Sequence, residues 1–278
     1  MRKWIFGAVA VVLAGLLWYT ARNAESSDPR AAYKELSQVT TKLEKAGTAR
    51  VEFVASLRGG EPFGAWEGSS LVRFAGPNWD TTYTKMNGSG AKTPTITARR
   101  LHVAGADYYS SPDLVAADQR PWYEPSKTVL NWGDPLSNPQ LNVADITTWL
   151  PFFGDLDVAT ADAAKIGDHK YRLECMSGRS VCPPPFGTKL DDHFNQTSPP
   201  ILTAELDGDG WLKKLDVECV LTYAEPAGGG SPGDVALHPR TAYHLVASFK
   251  LSKFGEKVEV QAPDPGTVTG SDRVSPKS

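Results

Sequence analysis

Any chemistry in this chain has to come from five scattered histidines, three cysteines and two short acidic stretches. His102, His169, His193, His238 and His244 form no H-x-x-x-H or H-E-x-x-H pattern, and there is no G-x-S-x-G, phosphate-binding loop or dinucleotide fingerprint. Asp191-Asp192-His193 is the best candidate for a metal or acid–base site. It sits among Pro, Asn, Gln, Thr and Ser, so it reads more simply as a solvated loop. Asp207-Gly208-Asp209-Gly210 looks like a calcium loop only superficially, because an EF-hand needs oxygen ligands at alternate positions and a distal Glu. It reads as a turn. Cys175 and Cys182 bracket a short loop ending in Pro183-Pro184-Pro185 and are the preferred disulfide pair, leaving Cys219 buried and free. Three cysteines without a C-x-x-C pair make a zinc site a poor alternative. The reading is of a protein that is not an enzyme and carries no metal or cofactor.

The elements that would position any site are clearer than the site itself. Ile201 to Leu206, the turn at 207–210 and Trp211 to Leu221 form a β-hairpin. Its second strand places Leu215, Val217, Cys219 and Leu221 on one face, with Lys214, Asp216 and Glu218 on the other. That alternation belongs to an antiparallel sheet with one buried and one wet side.

Upstream, Ser26 to Gly47 reads as a helix with Asp28 as N-cap, Pro29 at the first helical position and Gly47 past its end. Tyr33, Leu36, Val39 or Thr40, Leu43 and Ala46 give it one apolar stripe. From Thr48 the period changes to two: Val51, Phe53, Ala55 and Leu57 alternate with polar residues up to Gly59-Gly60. Further strands are expected near Gly68 to Ala75, over Asp80 to Met86, and over Arg99 to Ala104. A turn at Gly105-Ala106-Asp107 would then return through Tyr108-Tyr109. Ser111 to Pro151 interleaves prolines with tryptophans and has poor periodicity, so it either plugs one side of the core or lines a pocket mouth. Asn142 to Leu150 is a possible short helix within it. Strand character resumes over Lys165 to Cys175, then over Thr241 to Leu251, with a last short strand at Val258 and Val260.

The first residues do not belong to this core. Arg2 and Lys3 precede an uncharged run from Trp4 to Tyr19, the order of an export signal. Sixteen helical residues reach about 24 Å against a hydrocarbon core of about 30 Å. Candidate cleavage positions after Ala21 and Ala24 carry Tyr19 and Arg22 where signal peptidase prefers small residues. An uncleaved signal anchor is favoured, with a cleaved signal peptide as the alternative. The protein is expected outside the cytoplasm, on the cell membrane or secreted. The expected division is 1–22 signal segment, 23–28 linker, 29–265 folded domain and 266–278 disordered tail. The chain's net charge of −3 becomes −6 without Arg2, Lys3 and Arg22, which argues against a nucleic-acid partner.

Several segments together resemble the LolA-like fold, and most closely the LppX/LprG-type bacterial envelope proteins. They are the helix running into Gly47-Thr48-Ala49-Arg50-Val51-Glu52-Phe53, then Glu67-Gly68, Leu101-His102-Val103-Ala104-Gly105-Ala106-Asp107-Tyr108-Tyr109, and Pro121-Trp122-Tyr123. Ile166-Gly167-Asp168-His169-Lys170-Tyr171-Arg172-Leu173 and Leu206-Asp207-Gly208-Asp209-Gly210-Trp211-Leu212-Lys213-Lys214-Leu215 complete the set. The resemblance implies an α+β fold: a curved antiparallel half-barrel whose concave face is covered by the N-terminal helix and irregular loops. It also implies an apolar cavity for a lipid, acyl chain or glycolipid. This chain departs from the group in lacking a lipobox cysteine and in its longer excursion from Cys175 to Pro200.

Alternation then names the inward residues expected to line such a cavity: Val51, Phe53, Leu57, Val72, Phe74, Leu101, Val103, Leu215, Val217, Leu245 and Phe249. Two functions are compatible with these readings. One is extracytoplasmic binding or transport of a lipid or lipidated molecule by a protein attached to the membrane through its N-terminal segment. The other is a non-enzymatic sensor or regulator that binds the extracytoplasmic domain of another envelope protein.

Overall fold

The computed structural model describes residues 29–59, 62–76, 78–86, 96–112, 114–124, 129–130, 145–154, 161–175, 194–196, 198, 200–223, 241–257, 259–270 and 273–276. The expected signal segment, Asp28, Cys182, Asp191-Asp192-His193 and the 224–239 loop lie outside these residues. So do the side chains of Leu57 and Cys175, and with them the proposed disulfide. Among the described residues no helix is long and apolar enough to cross a membrane.

The helical stretch forms as α1 (Pro29–Leu36) and α2 (Gln38–Ala46), interrupted at Ser37, whose hydroxyl donates back to the Lys34 carbonyl at 3.1 Å. Gly47 ends α2 at φ 77°, its N–H bonding to the carbonyls of Leu43 and Glu44. The expected stripe is the buried one: Tyr33, Leu36, Val39 and Leu43 enter the core together with Ala32.

Five strands follow as a meander: β1 (Thr48–Arg58), β2 (Pro62–Arg73), β3 (Asn78–Met86), β4 (Ile96–Val103) and β5 (Ala106–Ser110). The β4–β5 turn is two residues long, with Ala104 at φ 51° and Gly105 at φ 82°, one position earlier than expected. Beyond it come β6 (Leu114–Ala116), β7 (Val129–Leu130), a 3-10 turn at Ile146–Thr148 and the short α3 (Pro151–Gly154). A second series comprises β8 (Ala161–Gly167), β9 (Lys170–Cys175), β10 (Phe194–Gln196), β11 (Ile201–Leu206), β12 (Leu212–Tyr223) and β13 (Thr241–Ser252). A 3-10 turn at Pro265–Thr267 and β14 (Arg273–Pro276) complete the described chain.

The main sheet runs β5-β4-β3-β2-β1-β13-β12-β11-β9-β8, antiparallel throughout, with β10 beside the far end of β12. The first and last long strands therefore meet at the centre, Phe53 opposite Phe249 and Val51 opposite Leu251. One meander extends to each side. β5 and β8 are the two ends of this order and do not pair, so the sheet stays an open, curved half-barrel and the fold is α+β, as the sequence suggests. The β11–β12 hairpin stands as read: Asp207 accepts from the N–H groups of Asp209 and Trp211, fixing the turn, and Lys42 of α2 donates to the Asp209 carbonyl at 2.6 Å.

Three expectations change. Residues 266–278 are not uniformly a free tail, because Arg273–Pro276 pairs antiparallel with β6 and parallel with β7. Residues 259–260 are not in a strand, and Val258 lies outside the described residues. β2 begins at Pro62, well before Gly68, since its pairing with β1 runs out as far as Arg58.

Candidate functional site

The face of the sheet that meets the helices is apolar at its centre. β1 supplies Val51, Phe53 and Ala55, β13 Leu245, Ala247 and Phe249, β12 Leu215, Val217 and Cys219, and β11 Leu202 and Ala204, all buried. Registers place these residues side by side, with Leu215 opposite Phe249 and Val217 opposite Ala247. Cross-strand partners share a face, so the alternation of four adjacent strands adds into one continuous wall. The Phe53 and Phe249 rings meet across β1 and β13 with centroids 6.5 Å apart. Burying a large apolar side chain contributes about 1.5–3 kcal/mol, which makes this wall the main source of stability.

Among the described residues, two pieces of chain cover the wall. The first is α1–α2. The second runs from Asp145 to Phe153 and contributes Ile146, Trp149, Leu150, Phe152 and Phe153, with Trp149 and Phe153 wholly buried. This part of the aromatic-rich middle segment therefore plugs the core. At the β9 edge, Tyr171 reaches α1 through a hydrogen bond from its hydroxyl to the Glu35 carboxylate. Burial, and then the neighbouring carboxylate, push the Tyr171 phenol well above its usual pKa.

Of the residues expected to face inward, Val51, Phe53, Val72, Leu215, Val217, Leu245 and Phe249 lie on this face, none more than 3 % exposed. Leu57 pairs with Leu245 in register, while its side chain lies outside the described residues. Phe74 follows β2 in a turn and packs half-buried against the core.

Leu101 and Val103 do not share the face. The pairing Val72–Trp79–His102 fixes Trp79, and with it His102 and Arg100, on the core side, so Leu101 lies opposite Asp80 on the other face. Burial of the Trp79 indole, 3 % exposed, sets this register against the apolar pattern of β4 itself.

The inversion creates a polar corner on the core face. The His102 ring stacks on Trp79 at 5.5 Å, and the Arg100 guanidinium lies 5.0 Å from the Trp79 ring centroid. Asp107 of β5 meets both cations, 3.1 Å from His102 Nδ1 and 3.6 Å from Arg100 Nη2. Buried Asp145, N-cap of the Ile146–Thr148 turn, accepts from the Thr147 N–H at 2.9 Å and lies within electrostatic range of both cations. The hydrogen bond to Asp107 raises the His102 pKa against the opposing effect of burial. Burial pushes Asp107 up, but His102 and Arg100 outweigh it and hold the carboxyl below its ordinary value. For Asp145 burial wins over Thr147, Arg100 and His102, and the carboxyl is raised. Beside this corner, Ser70 and Thr81 satisfy one another at 2.8 Å.

The site therefore offers apolar contact and one charged corner. Among the described residues no group of three or more His, Cys, Asp or Glu is placed to hold a metal ion. Sequence reasoning missed the corner; its signal was the polar pair Arg100 and His102 at alternate positions of a strand two residues from a tight turn.

No protein-family model matches the chain, and no curated protein matches it. Among solved structures it is similar to LprF from Mycobacterium bovis, at 13% identity and a TM-score of 0.34, covering 86% of this chain and 99% of that one. It is also similar to a DUF1329 family protein from Desulfovibrio piger, at 12% identity and a TM-score of 0.30, covering 84% of this chain and 96% of that one.

Proposed function

We propose that this protein binds or carries a lipid or lipidated molecule outside the cytoplasm, against the apolar wall and without covalent chemistry. The observation that carries the reading is one continuous apolar wall, buried throughout, whose cover is made of short separate pieces of chain. Three long strands and the shorter β11 present a continuous apolar face, and among the described residues its cover consists of two short helices, Pro29–Leu36 and Gln38–Ala46, and the 145–154 segment. Helices of this length are marginal on their own, so their position depends on the same apolar contacts that an acyl chain would make. A ligand that displaced part of the cover would replace those contacts with its own, gaining about 25 cal/mol for each Å² of apolar surface it buries.

The residues assigned to the ligand are those on the wall, Val51, Phe53, Val72, Leu215, Val217, Leu245 and Phe249, with Leu57 and Phe74 at its margins. The export-type N-terminus supports an extracytoplasmic site of action, tethered to the membrane or secreted. Solvent extraction of the folded, exported protein followed by mass spectrometry tests the reading. Acyl-bearing species in near-stoichiometric amount are expected. Protein that is consistently empty and also fails to take up a fatty acid would sink it.

A further inference from the structure

The polar corner lies on β4 and β5, at the edge of the core face and outside the four-strand apolar wall. Among the described side chains on the core face of the main sheet, charge occurs only in Arg100, His102 and Asp107 at this corner and in Lys165 of β8 at the opposite edge. The cluster is only partly withdrawn from water, with side-chain exposures of 11 % for Arg100, 24 % for His102 and 37 % for Asp107, so it can be reached from solvent. Its arrangement invites a functional explanation.

The geometry supplies one. Arg100, with a side chain 11 % exposed, and His102 are braced side by side on Trp79, so both are ordered before any ligand arrives. Asp107 faces both of them from β5. From the cover comes a fourth group, Asp145, which is buried and lies within electrostatic range of both cations. It is the first residue of the segment that inserts Ile146, Trp149 and Phe153 into the core. A carboxylate followed by Ile146 and, after two threonines, by Trp149, Leu150, Phe152 and Phe153 has the polar-then-apolar order of an anionic amphiphile.

We propose that Arg100 and His102 are the acceptor for the anionic headgroup, carboxylate or phosphate, of a single-chain amphiphile whose tail lies on the wall, and that Asp145 occupies this acceptor from the protein's own cover when no ligand is bound. The inference rests on the lipid-binding reading above and adds the class of headgroup to it. A ligand carboxylate or phosphate replaces Asp145 beside Arg100, and its tail replaces the side chains that follow Asp145. Arg presents a planar fork suited to either anion.

Calorimetric titration of the mature protein with oleate, 1-oleoyl lysophosphatidate and neutral oleyl alcohol tests the assignment. At least one anionic ligand is expected to bind about tenfold or more tighter than oleyl alcohol, and the tighter of the two identifies the headgroup. Arg100→Gln is expected to bring all three within about twofold of one another. Asp145→Asn, which keeps a side chain able to cap the turn, is expected to tighten the anionic ligand about threefold. Equal affinities in the wild type, or undiminished preference in an Arg100→Gln protein with an unchanged melting temperature, would overturn the headgroup assignment and leave lipid binding standing. If Arg100→Gln fails to fold, Asp145→Asn decides, and no gain in anion affinity overturns the assignment. Binding of none of the three overturns the lipid reading and this inference with it.

Discussion

His102 keeps its charge to higher pH than an isolated imidazole because Asp107 accepts its hydrogen bond, and Asp107 stays ionised to lower pH because His102 and Arg100 face it. The raised histidine contributes stability that is complete below about pH 6.5 and is lost as pH rises through its folded value. The depressed aspartate contributes stability that is complete above about pH 4 and is lost as pH falls through its folded value. Arg100 and Asp145 complete the charged surroundings of the pair. Denaturant unfolding of the wild type and His102→Gln should therefore differ most between about pH 4 and 6.5, and converge above and below. A difference independent of pH would contradict the pairing. Cys219 makes a second residue-scale prediction: burial pushes its thiol up to about 12, so iodoacetamide should modify it only after unfolding. Modification of the native protein at the rate of a free thiol would show the site to be open. At this scale the sequence was readable where strands are central. β1, β12 and β13 are flanked by strands on both sides, and their alternation names the buried face directly. β4 reverses the rule, because Arg100 and His102 can face inward only when Asp107 and Asp145, one of them distant in sequence, stand opposite. No local pattern contains that information.

At the scale of elements, the helix boundaries were legible through Pro29 and Gly47, and the hairpin through Asp207 to Gly210. The interruption at Ser37 was not, since a hydroxyl bonding back to the Lys34 carbonyl leaves no periodic trace. β14 was illegible for a different reason. Arg273–Pro276 is four residues with a proline, and it is a strand only because β6 and β7 flank it. The cover elements are held in two distinct ways, and their removal should have different effects. Leu43→Ala deletes a wholly buried side chain of α2 and should cost about 2–5 kcal/mol of global stability. Tyr171→Phe removes only the bond to Glu35 and should cost about 1–2 kcal/mol, while hydrogen exchange across 29–46 accelerates ahead of the sheet. Uniform acceleration over the whole chain in Tyr171→Phe would show that α1 does not open independently.

For the whole molecule, strand order is the feature that produces the wall. Because β13 closes against β1, the two longest apolar alternations of the chain lie side by side at the centre of the sheet, and each meander falls away to an edge where polar side chains gather. The outer face of the same strands carries Lys214, Asp216 and Ser248 in one hydrogen-bonded group, so the sheet is wet on that side. Individual strands could be read from their alternation, whereas the closing of last strand on first depends on long-range pairing that a single sequence does not display. The proposed lipid tail would lie on the core face. Cross-linking with a diazirine-bearing fatty acid, followed by peptide mapping of the mature protein, tests it most directly. The account predicts label on peptides containing Phe53, Leu215 or Phe249 and on the cover residues Leu36, Leu43 or Trp149. Absence of label, or label confined to exposed outer-face residues such as Val54 and Val246, would contradict it.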